Sequence, residues 1–257
     1  MSGRLAGKVA IITGASGGIG GAAVARFVAE GAAVMLAGRD QARLDAVAGP
    51  LLAPDRTATH VGDPSEEADV MALVAATLAR FGRIDIIFAN AGAEGSVKPL
   101  TEIGVDEFDA VQRTNVRGPF LAIKHGAPAM IASGGGSIIL TSSVAGVVGV
   151  AGLGAYAPSK HAIRGLVHVA ALELATAGVR VNAVAPAPID NAMMTSIEAQ
   201  AAPGAPELAR AGFSALIAMK RYGTNTEVAN VVTFLASDEA AYVTGATWAV
   251  DGGFLAA

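Results

Sequence analysis

The chain has 257 residues, 53% of them hydrophobic and 16% charged, with a net charge of −4. Such a length suits one large domain able to bury about three quarters of its unfolded surface, and the mild acidity excludes a global pull toward nucleic acid or anionic lipid. No cysteine is present, which excludes disulfides and thiolate chemistry and fits a reducing, cytoplasmic setting.

The first apolar run, Val9–Ile12, is too short for a signal-peptide core and reads as part of a buried strand, Lys8–Thr13. A Gly-rich turn and a helix to about Glu30 follow, then a strand at Ala32–Ala37 and a helix stopped by Gly49 and Pro50. Thr57–Val61 is the third strand. The helix after it starts at Pro64 and Ser65, carries Glu66 and Glu67 at its positive end, and closes at Arg80 and Gly82. Arg83–Ala89 is a fourth strand, and one long helix is predicted from about Val105 to Ile131. Gly136–Ser143, Val179–Pro186 and Thr247–Gly253 are further strands, with helices at Ala155–Ala177 and Thr226–Ser237. Apolar strands alternating with long helices predict a single α/β domain, a doubly wound parallel β-sheet of about seven strands with helices on both faces. Residues 187–223 break this rhythm as a long connection containing Pro188, Pro203 and Pro206. Its place after a strand's C-terminal end marks it as a substrate lid, with an ordinary surface excursion as the alternative.

The stretch Thr13–Gly20 reads TGASGGIG, placing Gly14, Gly18 and Gly20, with Ser16 and Ile19 between them, at a strand–helix turn. Glycines let the backbone approach a pyrophosphate, and the helix start favours its charge. A plain tight turn is the alternative. Without a Lys-Ser or Lys-Thr ending, a nucleoside-triphosphate loop is not expected. At the end of the second strand, Gly38 stands where an acid would hold a ribose 2′-hydroxyl, and Arg39 follows. Arg39 favours NADP(H), with NAD(H) as the alternative; Arg39 also reads as a solvated charge and Asp40 as a helix cap.

No Asp, Glu, Lys or Arg occurs between Lys124 and Lys160. Glycines at Gly134–Gly136, Gly146, Gly149, Gly152 and Gly154, and Pro158, interrupt this stretch too often for a membrane span. Tyr156, one of three tyrosines, lies four places before Lys160, on the same face of a helix start. An ammonium held beside a phenol, with no competing carboxylate in the stretch, is expected to lower the phenol's pKa.

These motifs resemble the short-chain dehydrogenase/reductase family over nearly the whole chain. The resemblance rests on TGASGGIG, Gly62–Asp63, ANAG at Ala89–Gly92, TNVRG around Asn115, ILTSS ending at Ser143, YAPSK at Tyr156–Lys160, VNAVAP, and the terminal VTGATWAVDGG. It implies a Rossmann-type fold, hydride transfer between a nicotinamide and a ketone or secondary alcohol, and a homotetramer. Tyr156 is implied as general acid/base, with Lys160 lowering its pKa and holding the nicotinamide ribose. Ser143 would hydrogen-bond the reacting oxygen, and Asn115 would hold a water in a proton relay through Lys160. Asp63 would meet the adenine; Asn90, with Ala91 and Gly92 beside it, would form a cofactor wall. Val184 and Pro186 would line the nicotinamide pocket, and Ile189 would bond the carboxamide through its main chain. Taken singly, Asn115 also reads as a helix-interior hydrogen bonder, and Ser142 and Ser143 as strand caps.

The chain departs from the family pattern at Ala89, at Ala187 followed by Pro188, and at Asn191, where a Thr usually bonds the carboxamide. Asn offers donor and acceptor, so Asn191 is kept as a cofactor contact. Val144, Val147, Val150, Leu153, Met193 and Met194, with Glu94 as a polar exception, suggest a small-molecule substrate of mainly apolar character; core packing is the alternative reading. His161 and His168 lie seven apart on one helix, but with no Cys and no matching acid no metal site is expected. Among rival activities, a 3-oxoacyl-carrier-protein reductase needs a basic patch, for which only Arg113 and Arg117 offer themselves. A sugar or polyol dehydrogenase needs a more polar pocket, and a silent dinucleotide sensor would waste the Asn-Ser-Tyr-Lys set. An enoyl reductase of the divergent type spaces its Tyr and Lys differently. Small faces at Ala162, Gly165, Val169 and Ala170 are candidate tetramer contacts, or core.

Overall fold

Short apolar runs become parallel strands here because both of their faces are buried. In β1 (Val9–Thr13) every residue is buried, and its side chains alternate between two cores. Ala10 and Ile12 point to one, with Phe27 of α1 (Gly18–Ala29) and Val228 and Val232 of α9 (Asn225–Ala236). Ile11 points to the other, with Leu73 of α3 (Glu67–Phe81), Met130 of α5 (Gly118–Ala132) and Ile163 of α6 (Tyr156–Leu174). This period-two alternation is the pleat of a strand sandwiched between helical layers.

The computed structural model describes residues 3–256. Its seven strands pair in parallel in the order β3-β2-β1-β4-β5-β6-β7. The others are β2 (Ala33–Gly38), β3 (Thr57–Val61), β4 (Ile86–Ala89), β5 (Gly136–Thr141), β6 (Val179–Pro186) and β7 (Thr247–Val250). The chain moves outward from β1 to β3, then crosses back so that β4 lies on the other side of β1. That reversal opens a crevice at the carboxyl edge between β1 and β4, where such sheets bind ligands.

Two stretches differ from expectation. The single helix expected from Val105 to Ile131 is α4 (Val105–Gln112), a π-helical turn at Arg113–Arg117, then α5. The wide turn carries Asn115, fully buried. Residues 187–223 are not an irregular connection, because they hold α7 (Ala192–Ala201) and α8 (Pro206–Leu216). Pro206 sits in the first turn of α8, where a proline starts a helix instead of breaking one. The remaining helix is α2 (Gln41–Ala48).

Asn182, buried in β6, pins the outer edge of the sheet. Its Nδ2 donates to the Val243 carbonyl at 2.8 Å, and its Oδ1 accepts from the Ala246 amide at 3.1 Å. Asn182→Leu leaves the Ala246 amide without this partner and the Val243 carbonyl with only the longer bond from Arg180, and is expected to lower stability by about 1–3 kcal/mol in urea denaturation; an unchanged midpoint contradicts this role.

Candidate active site

Across the sheet, the residue after each strand contributes to one cleft. From β3 comes Asp63, from β2 Arg39, from β1 Gly14, Ser16, Gly18 and Ile19, and from β4 Asn90, Ala91 and Gly92. From β5 come Ser143 and Val144, and from β6 Pro186, Ile189 and Asn191. The cavity they enclose is about 540 Å³. Strands lie about 4.8 Å apart, so Arg39 and Ser143, three strand spacings from one another, stand on the order of 14 Å apart along the edge.

The cradle is built by close backbone approach. Gly14 has φ +62°, and a Cβ on it would stand 2.9 Å from the Ala91 Cα. Gly20 does not line the cavity. A Cβ there would sit 2.2 Å from the Gly14 carbonyl oxygen, so this glycine lets α1 pack onto its own turn. α1 begins at Gly18, Gly17 before it offers no side-chain cap, and Gly17, Gly18 and Ile19 line the cleft. A helix start left uncapped at the cleft fits a dinucleotide's pyrophosphate. Asn90 braces the wall: its Nδ2 donates to the Thr13 and Gly14 carbonyls, and its Oδ1 accepts from the Thr141 hydroxyl at 3.2 Å.

At the β2 end, the Asp40 carboxylate caps α2 by accepting from the Arg43 amide at 3.1 Å. The Arg43 guanidinium donates to the Ser16 carbonyl at 3.5 Å and lines the cavity beside Arg39. Burial raises the pKa of Asp63, but hydrogen bonds from the Ser65 hydroxyl and amide, with Arg39 and Arg113 nearby, outweigh it and hold the carboxyl below its ordinary range.

At the other end, α6 begins at Tyr156, which sets Tyr156 and Lys160 one turn apart on its buried face. Lys160 is only 3% exposed; its Nζ donates to the Thr141 carbonyl at 2.8 Å and lies 5.4 Å from the centre of the Tyr156 ring. The Ser143 hydroxyl donates to the Pro186 carbonyl at 3.4 Å and accepts from the Ala145 amide at 3.2 Å. The expected lowering of the phenol's pKa is not what the polypeptide's own groups produce. Burial pushes Tyr156 up to about 12, against a hydrogen bond from Ser143, and the Glu94 carboxylate adds to the rise. Burial also pushes Lys160 down to about 8. Desolvation is the largest cause of both shifts.

Asn115 stands behind this wall, outside the cavity lining. Its Oδ1 accepts from the Ala93 amide at 2.8 Å, and its Nδ2 donates to the Ala93 carbonyl at 2.8 Å and to the Ser159 hydroxyl at 2.9 Å. Ser159 in turn donates to the Tyr156 carbonyl at 2.6 Å, so Asn115 ties the π turn to the first turn of α6. A Cβ on Gly92 would lie 3.3 Å from the Asn115 Oδ1 and 3.5 Å from the Lys160 Nζ, so both groups border this glycine.

Val144, Val150, Leu153, Met193 and Met194 line the cavity as expected, whereas Glu94 and Val147 do not. Glu94 belongs to the loop after β4 and reaches the site only through its charge on Tyr156. Asn191 lines the cavity, but its Oδ1 is engaged in capping α7, accepting from the Met193 and Met194 amides at 3.1 and 3.3 Å. Sequence reasoning missed Arg43, Thr141, Ile197, Phe213, Leu216 and Phe254. For Arg43 the spacing from the Asp40 cap was a usable signal, whereas the last four depend on how α7, α8 and the C-terminal turn fold back. His161 and His168 are exposed, and among the described residues no group of three or more His, Cys, Asp or Glu is placed to hold a metal ion.

The family model described as enoyl-(acyl carrier protein) reductase matches residues 14–255. Levodione reductase of Leifsonia aquatica is 40% identical over 257 residues, covering 99% of this chain and 96% of the relative. Its crystal structure superposes with a TM-score of 0.96, covering 99% of this chain and all of that one. Cyclohexanol dehydrogenase of Acinetobacter sp. (strain SE19) is 32% identical, with 99% of this chain and 97% of the relative covered. A 3-oxoacyl-(acyl-carrier-protein) reductase of Thermotoga maritima is 36% identical, with 98% and 99% covered. The chain belongs to the short-chain dehydrogenase/reductase family, whose members use a nicotinamide cofactor.

Proposed function

We propose that the chain is an NADP(H)-dependent oxidoreductase that interconverts a ketone and a secondary alcohol carrying mainly apolar substituents. The observation that supports it most is the meeting of two hydroxyls, Ser143 and Tyr156, with a buried ammonium, Lys160, between a glycine cradle and an apolar wall. A bound nicotinamide supplies or accepts the hydride and, when oxidised, adds a positive charge beside the phenol.

The chain's own residues handle the oxygen and the proton. Ser143 donates a hydrogen bond to the substrate oxygen and orients it. Tyr156 gives its proton to that oxygen in reduction and takes it back in oxidation. With a pKa raised to about 12, the phenol holds its proton at neutral pH, as an acid for ketone reduction must. Lys160, with a pKa near 8, is mostly charged at neutral pH and able to pass protons on. Asn115 and Lys160 both border Gly92, and this proximity supports a relay to solvent by that route.

NADP(H) is favoured because two guanidinium groups, Arg39 and Arg43, border the β2 end while Asp40 is engaged as a helix cap. Helices α7 and α8 act as the substrate lid, contributing Met193, Met194, Ile197, Phe213 and Leu216 to the cavity. This wall suits a cyclic or aryl ketone, and cyclohexanol, for which one relative is named, is a cyclic secondary alcohol. A carrier-protein substrate has less support, since Arg113 is already paired with Glu66. Exposed Phe120 on α5 and Val169 and Leu172 on α6 offer apolar surface for the homotetramer. No helix among the described residues is long and apolar enough to cross a membrane, in keeping with a cytoplasmic enzyme.

Tyr156→Phe is expected to keep nucleotide binding, read by fluorescence titration, while turnover of a cyclic ketone falls at least about 10²-fold; near-normal turnover removes the phenol from the mechanism. Joint replacement of Arg39 and Arg43 by Leu is expected to weaken NADPH binding about 10²–10⁴-fold while NADH affinity changes little, because charge-assisted bonds to a phosphate are worth about 1.5–3 kcal/mol each. Equal loss for both nucleotides contradicts the NADP(H) preference.

A further inference from the structure

We infer that Asn225 is a positioning residue that couples occupancy of the dinucleotide cradle to the order of the substrate lid. The inference rests on the reading of the cleft as a dinucleotide site and of α7 and α8 as its lid, and it concerns a residue outside the cavity lining.

Asn225 is the first residue of α9, and that helix end is held firmly. Thr224 and Glu227 form a reciprocal cap, with the Glu227 amide donating to the Thr224 hydroxyl at 3.2 Å and the Thr224 amide to the Glu227 carboxylate at 2.8 Å. Arg221 grips the same carboxylate at 2.6 Å, while Val228, Ala229 and Val232 anchor α9 in the core with α1. A rigid helix end therefore presents the Asn225 side chain.

That side chain faces two ways. On one side it lies against Gly18, at the uncapped start of α1, where a Cβ would stand 2.6 Å from Oδ1 and 2.8 Å from Nδ2. On the other side Nδ2 donates to the Asp190 carbonyl at 3.4 Å, and Oδ1 accepts from the Asn191 Nδ2 at 3.3 Å. Asn191 is the cap of α7, the helix that carries Met193 and Met194 into the cavity. One amide thus touches the phosphate end of the cradle and holds the residue that starts the lid.

The lid is also held by the Val97 amide, which donates to the Gln200 Oε1 at 3.1 Å, and by Arg210, which pairs with Asp190 at 3.0 Å, but burial anchors it only lightly. α8 has no buried residue, and only Ile197 and Glu198 are buried in α7. A segment so lightly anchored sits near the low end of local stability. Ordering the start of α1 therefore biases the Asn225 amide, and through Asn191 the α7 cap. By linkage, a closed lid must strengthen nucleotide binding by the same factor.

The test is amide hydrogen exchange of residues 192–216 with and without NADPH, in the wild type and in Asn225→Ala. In the wild type, nucleotide is expected to slow exchange in this segment about fivefold or more. In Asn225→Ala, nucleotide still binds, its Kd raised by no more than about the same factor, but the slowing is lost and the substrate KM rises. Nucleotide-induced slowing that persists in the variant overturns the inference, as does a wild-type lid that does not respond to bound nucleotide. Asn225→Ser, whose side chain is too short for both bonds, serves if the alanine variant does not fold, with the same two outcomes. Failure of the wild type to bind either nucleotide defeats the reading of the cleft itself and is seen separately in the binding titration.

Discussion

An ammonium group buried without a carboxylate partner sets the terms for the rest of this structure. Lys160 is almost fully enclosed, and its Nζ is held by the Thr141 carbonyl. Removing a charge from water costs several kcal/mol unless polar groups replace the lost hydration. Here they do so sparingly, and the group's pKa falls to about 8. The same burial raises the Tyr156 phenol to about 12. The amine is thereby brought closer to neutrality and able to give up its proton, whereas the phenol is held more firmly protonated. The missing charges between Lys124 and Lys160 are the sequence trace of that enclosure.

The parallel sheet makes the enclosure possible. All seven strands end on the same edge, so every loop after a strand delivers residues to one place. Between β1 and β4 the reversal of strand order leaves room for a backbone cradle but none for a side chain at Gly14, whose Cβ would stand 2.9 Å from the Ala91 Cα. The π turn adds what a regular helix cannot. By widening one turn before α5 it buries Asn115, whose amide links the loop after β4 to Ser159 and the start of α6. The phenol is thus positioned from behind, by groups that never face the cavity.

The strands, the helices between them and the placing of Tyr156 and Lys160 on one face were legible in the sequence because they rest on local pattern. Apolar runs with period two, a glycine turn between strand and helix, and a Tyr four places before a Lys are short-range signals. What the sequence hid depends on geometry beyond a single turn. A π turn alters the helical period over only five residues, Arg113–Arg117, too few to disturb an apolar stripe. The alanine-rich connection at 187–223 with its prolines reads as irregular until Pro206 is seen to open a helix. Glu94 was placed in the pocket on its neighbourhood, yet only its field arrives there. Phe213, Leu216 and Phe254 were invisible because their segments fold back over the cleft from far along the chain. The direction of the tyrosine's shift was misread for a related reason, since charge pairing can be inferred from spacing but full burial cannot.

The most direct test of this account is the ionisation of Tyr156 itself, followed by tyrosine NMR in the wild type against Tyr156→Phe, with and without oxidised nucleotide. The account predicts no ionisation below about pH 11 in the free chain and a fall of at least about one pH unit when the positively charged nicotinamide binds. A phenol that already titrates below about 10 without nucleotide, or one that bound nucleotide leaves unmoved, contradicts it.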